Sequence, residues 1–380
     1  MGMGGIQRTF YIPRYLKMLG WRVNVYTPHP PHSYPVDKTI SECNGLNVIR
    51  TFCPDPLHLL RGGFKSVGMG RLDYLTFPDN KVPWLPFLYK NLRSMDVIVT
   101  SLPPFSLLLS GLFYKDIPWI IDFRDPWVGS FLGQYRFNWE EKLAMKLERY
   151  AVKKASLCVT VTKNHLEYLK SCYPDYSERF YLIRNGYNED GFPERLGMGR
   201  KQDIVITYMG TLNKLRPIEY VFEGLMKLFK ERSDIKDNIV FKHIGYSIGV
   251  NIKEQAEKAG IKQFVETGYL SHKDALIELL DSDILVLLGV KGEQDKEIIP
   301  GKLYEYLRSG IPIVAVTTNK EIEKLISSQG IRCDYDSDEI AKGILKIIEN
   351  PHFFKSIKNY KGFSWENLAK EYSKLIWSVL

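Results

Sequence analysis

Two glutamates eight residues apart flank the start of a predicted helix. Glu297 lies in a loop, Pro300, Gly301 and Lys302 open the helix, and Glu305 follows in its first turns. The N-terminus of a helix exposes backbone N–H groups and the positive end of the helix dipole, so it binds phosphate groups readily. The two carboxylates could then bind the hydroxyl groups at the two ends of one ligand, such as the sugar and the ribose of a nucleotide sugar.

The spacing of the two glutamates is weak support when it is taken alone, because such pairs are common by chance. A surface Glu297 and a Glu305 stabilised by the helix dipole would explain the same residues without a ligand. The context favours a binding site. The segment follows an apolar strand predicted at 284–289, and Gly310 ends the helix before another apolar strand at 311–316.

Further candidates follow the strand predicted at 204–210. Gly210 ends this strand, Lys214 and Arg216 lie in the next loop, and Pro217 opens a helix at a position where its missing N–H is harmless. The two cations could neutralise a diphosphate leaving group. The alternative is that they are ordinary surface charges.

In the first half of the chain, polar residues follow another predicted strand. Asp122 and Asp125 are candidates for orienting or deprotonating an acceptor, and Arg124 and Trp127 lie in the same segment. Ser101, at the end of the preceding strand, would line the same rim. The alternative is an internal Arg–Asp pair that only shapes the loop.

Strands alternate with helices in both halves, which predicts an α/β protein with two Rossmann-like, doubly wound parallel sheets. We expect an N-terminal domain at 1–190, a linker at 191–203, a C-terminal domain at 204–363, and a last helix at 364–380 that packs back on the first domain. Ligands of such sheets bind at the carboxyl ends of the strands, so we expect the site in a cleft between the domains.

The Gly-rich turn at the start of the chain, with Gly4 and Gly5, leads directly into a predicted helix. Such a turn normally follows a buried strand. We therefore expect that the first strand of the N-terminal sheet is missing, through a misassigned start codon or a truncation. An in-frame stop codon directly upstream in the genome would exclude the first explanation.

The composition is that of a soluble globular protein, with 380 residues, 44% of them hydrophobic and 25% charged. No apolar run reaches the roughly 20 residues of a transmembrane helix, and no signal peptide is evident. The five cysteines are scattered and the histidines show no ligand spacing, which predicts reduced thiols and no metal site. These features indicate a cytoplasmic protein without a cofactor.

The charge is concentrated in the first half of the chain. Residues 1–195 carry 25 Lys+Arg and 18 Asp+Glu, a net charge of +7, whereas the whole chain carries +8. Apolar, aromatic and basic residues are interleaved at 57–93, so this half could bind an anionic membrane surface from the cytoplasmic side. The same pattern fits core faces with solvated lysine and arginine tips.

From end to end the chain resembles the family 4 retaining glycosyltransferases, which have the GT-B fold of two Rossmann-like domains facing a cleft. The resemblance rests on five segments, of which the two glutamates are the most specific: Gly4-Gly5-Ile6, residues 121–127, Arg184-Asn185-Gly186, Gly210 with its cations, and Glu297 to Glu305 continuing to Ser309-Gly310.

In such enzymes the first glutamate, here Glu297, contacts the donor sugar, and the second, here Glu305, contacts the ribose. The resemblance assigns the diphosphate to cations like Arg216 and to the backbone amides of Gly301–Leu303, with the Gly4–Gly5 loop approaching from the other domain. It implies sugar transfer with retained anomeric configuration and without a metal.

The resemblance also places the nucleotide base in the loops after Gly245 and Gly268, the second of which contains Tyr269. Thr211 replaces an arginine that many relatives carry, so we expect Lys214 or Lys302 to compensate. A histidine that many relatives carry in the acceptor lobe is also replaced, by the segment that contains Asp122 and Asp125.

The function implied is transfer of a sugar from a nucleotide-diphosphate sugar to a glycan or lipid-linked acceptor, in polysaccharide, lipopolysaccharide or capsule biosynthesis. One alternative is a two-lobed nucleotide-sugar epimerase, which would release an isomerised sugar. Another is a non-catalytic protein that binds a membrane or another anionic ligand through its basic half. No nucleic-acid-binding motif is present.

Overall fold

The structure is a computed structural model, and it describes residues 4–29, 45–54, 77–90, 92, 95–114, 116–129, 135, 137–194, 203–354 and 360–380. The chain forms two compact units, Met1–Arg184 with Trp365–Leu380 and Asn185–Ser364. Both units contain parallel sheets with helices, so the predicted α/β class is confirmed.

The described part of the chain contains the following strands and helices, numbered in chain order. The strands are β1 Asn24–Pro28, β2 Asn47–Thr51, β3 Ile98–Leu102, β4 Trp119–Phe123, β5 Leu157–Thr160, β6 Phe180–Leu182, β7 Ile204–Met209, β8 Ile239–Ile244, β9 Gln263–Glu266, β10 Ile284–Leu288, β11 Ile313–Val316 and β12 Gly330–Cys333. The helices are α1 Gly4–Met18, α2 Leu85–Tyr89, α3 Asn138–Lys154, α4 Lys163–Cys172, α5 Ile218–Glu231, α6 Ile252–Lys258, α7 His272–Leu280, α8 Lys302–Ser309, α9 Lys320–Ile326, α10 Ser337–Glu349 and α11 Trp365–Trp377.

In the first unit, β3 to β6 form a parallel sheet in chain order, and β1 pairs with β2 in a separate parallel sheet. Every residue of β4 and of β5 is buried, as expected for central parallel strands that are covered on both faces. Ser101 of β3 lies in register with Asp122 of β4, so two of the predicted site residues are neighbours across the ladder.

The last helix, α11, belongs to the first unit. It packs along α1, where the indole of Trp365 stacks on the ring of Tyr11 with centroids 6.1 Å apart. Tyr372 and Ile376, further along the same helix, are also buried in this cluster. An amphipathic helix at the end of the chain thereby covers the apolar face of the first helix.

The second unit is a six-stranded parallel sheet in the order β12-β11-β10-β7-β8-β9. The chain starts in the middle at β7, proceeds outward to β9, and returns to the other side of β7 with β10. This reversal makes the boundary between β7 and β10 the topological switch point, where the loops leaving the two strands diverge and leave a crevice. All residues of β10 and β11 are buried and apolar, so these strands form the rigid base of that crevice.

The boundary between the units lies between Arg184 and Asn185, a few residues before the predicted one at 190. The side chains of Tyr187 and Phe192 are buried in the core of the second unit. The amide of Tyr187 also donates to the carbonyl of Phe363 at 3.1 Å, which ties the two ends of this unit together. Of the predicted linker at 191–203, residues 195–202 lie outside the described residues.

The segment predicted to meet a membrane is only partly covered by the structure, because residues 55–76 lie outside the described residues. In the part at 77–90, Trp84, Leu85 and Leu88 are buried core residues. No helix of the described residues combines the length and the apolar composition that crossing a membrane would require.

A carboxyl group is buried in the first unit without a cationic partner among the described residues. Glu148 of α3 accepts hydrogen bonds from the hydroxyl of Tyr173 at 2.9 Å and from the amide of Val128 at 3.4 Å. Burial raises the pKa of Glu148 to about 7, and these two hydrogen bonds offset only part of that rise. Folding therefore favours the protonated carboxyl group.

Glu148 should make the stability of the first unit depend on pH. Because its folded pKa lies above its unfolded value, its stabilising contribution is present below about pH 4 and is lost as the pH rises through about 7. Relative to Glu148→Gln, the wild type should lose on the order of 2 kcal/mol of unfolding free energy between pH 5 and pH 8.

Urea unfolding at these two pH values measures the difference. All seven tryptophans of the chain lie in the first unit, so their fluorescence reports its unfolding. A wild type and variant whose stabilities change in parallel with pH would contradict this account of Glu148.

Candidate functional site

The candidate site of the second unit starts from a glycine turn at the end of β7. Gly210 has a φ of +125°, a conformation that side chains disfavour, and its amide donates to the carbonyl of Ile244 at 2.7 Å. The carbonyl oxygen of Gly210 accepts a hydrogen bond from Nε2 of the buried His243 at 2.9 Å. A Cβ atom on Gly245 would lie 2.5 Å from the carbonyl oxygen of Gly210, so the turns after β7 and β8 touch through their backbones.

Arg216 bridges the switch point. Its Nη1 donates to the carbonyl oxygens of Leu288 and Gly289, both at 2.9 Å, at the carboxyl end of β10. No hydrogen bond of the described residues uses its Nε or Nη2, so part of the guanidinium group is available to a ligand. Lys214, predicted to act beside it, is exposed and forms no hydrogen bond with the described residues.

Lys302 lies directly beside the Gly210 turn. Its Nζ donates to the carbonyl of Met209 at 2.6 Å and lies 3.7 Å from the ring centroid of Tyr208. Burial, and then the nearby charge of Arg216, lower the pKa of Lys302 well below its usual range. An anion bound beside these two groups would reverse this effect and favour the charged amine.

The start of α8 is a tight turn. The amide of Leu303 donates to the carbonyl of Pro300 at 3.0 Å, and Leu303 itself is a core residue. The proposed use of the Leu303 amide by a ligand therefore requires this bond to break. The amides of Gly301 and Lys302 take part in no backbone hydrogen bond of the described chain, so they are the better candidates.

The two glutamates occupy different environments. Glu305 is buried, and its Oε1 lies 2.7 Å from Nε2 of His272, the first residue of α7. Glu297 is half-buried; burial raises its pKa, and its carboxylate forms no hydrogen bond with the described residues. A half-buried ionisable group without a hydrogen-bond partner among the described residues is a candidate for ligand contact.

Tyrosines follow both β8 and β9. Tyr246 and Tyr269 are 48% and 47% exposed, and their rings stack with centroids 5.9 Å apart. Gly245 and Gly268, the residues just before them, form a β-bridge. The two loops assigned to the nucleotide base thus lie side by side, with a flat aromatic surface at their tips.

In the first unit, Asp122 is held by a residue that the sequence analysis did not connect with it. Arg8 of α1 donates to both carboxylate oxygens, at 2.8 and 2.9 Å, and also to the carbonyls of Ile183 and Arg184. Arg8 is 1% and Asp122 is 4% exposed. This geometry argues against a catalytic role for Asp122 and makes it part of a buried anchor between α1 and β4.

The other residues of this segment also differ in their surroundings. Arg124 is tied back to the carbonyls of Leu102 and Pro103. Asp125 is half-buried and forms no hydrogen bond with the described residues; burial raises its pKa, and Arg124 opposes the rise. Asp125 is therefore the better candidate for accepting a proton.

Trp127 and Ser101, which were predicted to line the acceptor side of the site, are both buried or partly buried in the first unit. Trp127 is 3% exposed and stacks on Phe105 with centroids 5.0 Å apart, so it is a core residue rather than an acceptor contact. The hydroxyl of Ser101 is buried without a hydrogen-bond partner among the described residues. Gly4 and Gly5, predicted as a loop, are the first residues of α1.

Several residues of the second-unit site escaped the sequence analysis: His243, His272, Asp295 and Asn319. None belongs to a recognisable spacing, because each acts through a partner from a distant part of the chain. Asp295 lies in a run of polar residues that resembles an exposed loop, yet its side chain is completely buried. In the part of the chain that the structure describes, no group of three or more His, Cys, Asp or Glu side chains is arranged to hold a metal ion.

Two units with parallel α/β sheets, and basic side chains at the switch point of the second, agree with the GT-B fold. The model of the family "Glycosyltransferase Family 4" matches residues 3–190, and that of "Glycosyl transferases group 1" matches residues 198–362. The chain therefore belongs to the family 4 glycosyltransferases.

Solved structures show the same fold at low sequence identity. HepE of Anabaena, solved in complex with UDP and glucose, is 15% identical with a TM-score of 0.66, covering 99% of this chain and 96% of its own. A glycosyltransferase of Rickettsia africae has 14% identity, a TM-score of 0.66, and coverages of 100% and 96%. WaaG, a glycosyltransferase involved in lipopolysaccharide biosynthesis, has 15% identity, a TM-score of 0.62, and coverages of 100% and 95%. No curated protein sequence matches the chain.

The anchoring role of Asp122 predicts a specific pattern of stabilities. Arg8→Met should lower the unfolding free energy of the first unit by about 3 kcal/mol, because it leaves a buried carboxylate unpaired. The double variant Arg8→Met/Asp122→Leu should be more stable than Arg8→Met, since no buried charge is left behind. Urea unfolding followed by tryptophan fluorescence measures both. Equal stability of the single and double variants would show that the ion pair does not hold this part of the unit.

Proposed function

We propose that the protein transfers a sugar from a nucleotide-diphosphate sugar to a cell-surface polysaccharide or glycolipid acceptor, with retention of anomeric configuration and without a metal. The observation that carries the proposal is the arrangement at the switch point of the second unit. There Arg216 and Lys302 meet beside the Gly210 turn, and Glu297, which precedes Lys302 by five positions in the chain, forms no hydrogen bond with the described residues.

Arg216 and Lys302 bind the diphosphate in this proposal. Both are oriented by neutral backbone carbonyls, and a bound diphosphate would favour the charged form of Lys302, whose pKa is lowered by burial. Breaking the bond between the sugar and the diphosphate places negative charge on the leaving oxygen, and pre-oriented cations stabilise that charge. The free amides of Gly301 and Lys302 add donors at the positive end of the helix dipole. These groups take the place that a metal ion would otherwise fill.

Glu305 binds the ribose, and His272 keeps its carboxylate oriented. A carboxylate accepts hydrogen bonds from two neighbouring hydroxyl groups, which matches the 2′ and 3′ hydroxyls of a ribose. The stacked pair of Tyr246 and Tyr269 offers an aromatic surface to the base. The complex of the similar HepE with UDP and glucose supports a donor of this kind.

Glu297 acts on the sugar. Its carboxylate accepts hydrogen bonds from the sugar hydroxyls and stabilises the positive charge that develops as the glycosidic bond breaks. In a retaining transfer the acceptor attacks the sugar on the same face from which the diphosphate departs. The departing diphosphate oxygen can therefore accept the proton of the acceptor hydroxyl. Asp125 of the first unit is the candidate for orienting the acceptor hydroxyl.

The similarity to WaaG, a glycosyltransferase involved in lipopolysaccharide biosynthesis, supports a glycolipid acceptor and hence a membrane partner. A basic face on α3 of the first unit supports the same partner. Its exposed residues are Trp139, Lys142, Leu143, Lys146, Arg149 and Lys153, which share one side of the helix. Two of the three glutamates of α3, Glu140 and Glu148, are buried on the opposite side. We propose that this face binds anionic lipid at the cytoplasmic side of the membrane.

Replacement of Glu297 tests the donor site. Glu297→Gln should lower kcat by about 10²-fold or more, because it removes charge stabilisation in the transition state. The Kd of the matching nucleoside diphosphate should change by less than about threefold, since its contacts are untouched. A donor screen read by mass spectrometry identifies the substrate, and calorimetry with UDP, GDP and ADP gives the affinities.

Glu293→Gln is the matched control, because Glu293 lies in the same loop with its side chain 91% exposed. It should retain normal turnover. Near-normal turnover of Glu297→Gln would remove Glu297 from the mechanism. Isomerised sugar without a glycosylated acceptor would favour an epimerase, and failure to bind any nucleotide would favour a non-catalytic protein.

Charge reversal tests the lipid-binding face. Vesicles with anionic lipid should retain the protein at low salt and release it at high salt. The triple variant Lys142→Glu/Lys146→Glu/Lys153→Glu should lose this binding. The control Lys324→Glu/Lys342→Glu/Lys346→Glu makes the same charge change on the second unit and should still bind. Equal loss in both variants would indicate an effect of net charge alone, and binding by neither the wild type nor the control would exclude the membrane.

A further inference from the structure

Asp295, two residues before Glu297, is completely buried and accepts hydrogen bonds from two other segments of the second unit. Its Oδ1 accepts from the amide of Val290 at 3.0 Å. Its Oδ2 accepts from the hydroxyl of Thr317 at 2.8 Å, and from the amide and the hydroxyl of Thr318 at 2.6 and 3.0 Å. The carboxylate thereby joins the loop after β10 to the loop after β11.

These bonds hold the loop in one conformation. A carboxylate removed from water is costly unless its oxygens are hydrogen-bonded, so the loop cannot shift without losing several bonds at once. The donors of Asp295 are neutral amides and hydroxyls with fixed positions at the ends of rigid strands. Directional bonds of this kind fix position more narrowly than apolar packing alone.

Asn319 holds the same loop at a second point. Its Nδ2 donates to the carbonyl of Asp295 and to the carbonyl of Ile298, both at 3.1 Å. The two carbonyls lie on either side of Glu297 in the chain, so one amide group brackets its backbone. The Oδ1 of Asn319 accepts from the amide of Glu321 at 2.9 Å and caps α9, which fixes Asn319 in turn.

Gly289 connects this network to the cationic part of the site. A Cβ atom on Gly289 would lie 2.0 Å from Oδ1 of Asp295, so the carboxylate lies directly against the glycine. The carbonyl of the same glycine accepts from Arg216 at 2.9 Å. Asp295 and Arg216 therefore both contact one residue at the carboxyl end of β10.

We propose that Asp295, held by Thr317, Thr318 and Asn319, is a positioning residue that sets where Glu297 meets the donor sugar. The inference rests on the role of Glu297 in the proposed function. The Glu297 side chain makes no hydrogen bond of its own with the described residues, so its location is set by its backbone. That backbone is fixed by Asp295 on one side and bracketed by Asn319 on both sides.

Replacing Thr317 by valine is the least disruptive test, because it keeps the side-chain shape while it removes one donor to Asp295 and the acceptor of the Asn319 amide. Thr317→Val should lower kcat by about tenfold, since small displacements of a catalytic group reduce the rate strongly. The Kd of the nucleoside diphosphate should stay within about twofold, because Arg216, Lys302 and Glu305 keep their partners. Asp295→Asn should have a larger effect in the same direction.

Thr207→Val is the matched control. Thr207 is an equally buried threonine of the second unit whose hydroxyl pairs with Ser282 at 2.7 Å, away from the loop. It removes a buried hydroxyl at comparable cost but should leave kcat unchanged. Hydrogen exchange gives an independent measure: amides at 293–299 should exchange faster in Thr317→Val than in the wild type and in Thr207→Val.

The outcomes separate this inference from the proposed function. Faster exchange at 293–299 with a selective loss of kcat supports the positioning role. Unchanged exchange and unchanged kcat in Thr317→Val overturn it, as does an equal loss of kcat in Thr207→Val. If the wild type binds no nucleotide and transfers no sugar, the proposed function fails. Unchanged exchange at 293–299 in a folded Asp295→Asn would then also show that Asp295 does not hold this loop.

Discussion

The candidate site depends on two basic side chains being held by neutral partners. Lys302 donates to the carbonyl of Met209, and Arg216 donates to those of Leu288 and Gly289, at the ends of neighbouring central strands. Carbonyl dipoles orient a cation without cancelling its charge, whereas a carboxylate would neutralise it. The parallel sheet brings these carbonyls together because the carboxyl ends of β7 and β10 meet at its switch point. Two basic side chains thereby meet at one point of the candidate site, and because burial and the charge of Arg216 lower the pKa of Lys302, an anion bound there would favour its charged form.

In the first unit, by contrast, a buried cation is neutralised by a carboxylate. Arg8 and Asp122 neutralise each other in a buried, bidentate pair, and Arg8 also donates to backbone carbonyls. Such a closed arrangement joins α1 to β4 but leaves nothing for a substrate. Asp125, three residues later, is the carboxylate that stays without a hydrogen bond among the described residues. Of these two aspartates, Asp122 anchors the fold and Asp125 is the candidate for contact with a substrate.

Two carboxylates of the second unit also differ in whether the fold engages them in hydrogen bonds. Asp295 accepts four hydrogen bonds and is completely buried, whereas Glu297, two residues later, is half-buried with a carboxylate that the described fold does not engage. One loop thus carries a carboxylate that holds its conformation and, two residues later, a carboxylate that is available to a ligand. A reactive group placed on a loop needs support of this kind, because loops otherwise move more than the strands that they connect.

Local patterns in the sequence were sufficient for much of the fold. Apolar runs such as 284–288, bounded by polar turns, predict buried parallel strands, and Gly210 and Gly310 mark the turns that follow a strand and a helix. The placement of Glu297 and Glu305 around a helix start could be predicted for the same reason, since helix boundaries depend on neighbouring residues. The extents of the two units were less predictable. Tyr187 was predicted in the first domain and Phe192 in the linker, but both join the core of the second unit through contacts with distant segments of the chain.

By itself, the sequence determined the α/β alternation, the resemblance to a glycosyltransferase family and the segment that carries both glutamates. Only the tertiary structure decided which charged residues are free to act. Arg8 and Asp122 are 114 positions apart, and Asp295 lies in a polar run that gives no sign of burial. Secondary structure is encoded by residues a few positions apart, so it can be predicted from local patterns. Burial and ion pairing depend on segments that meet only after folding, and they determine whether a carboxylate anchors the fold or contacts a substrate.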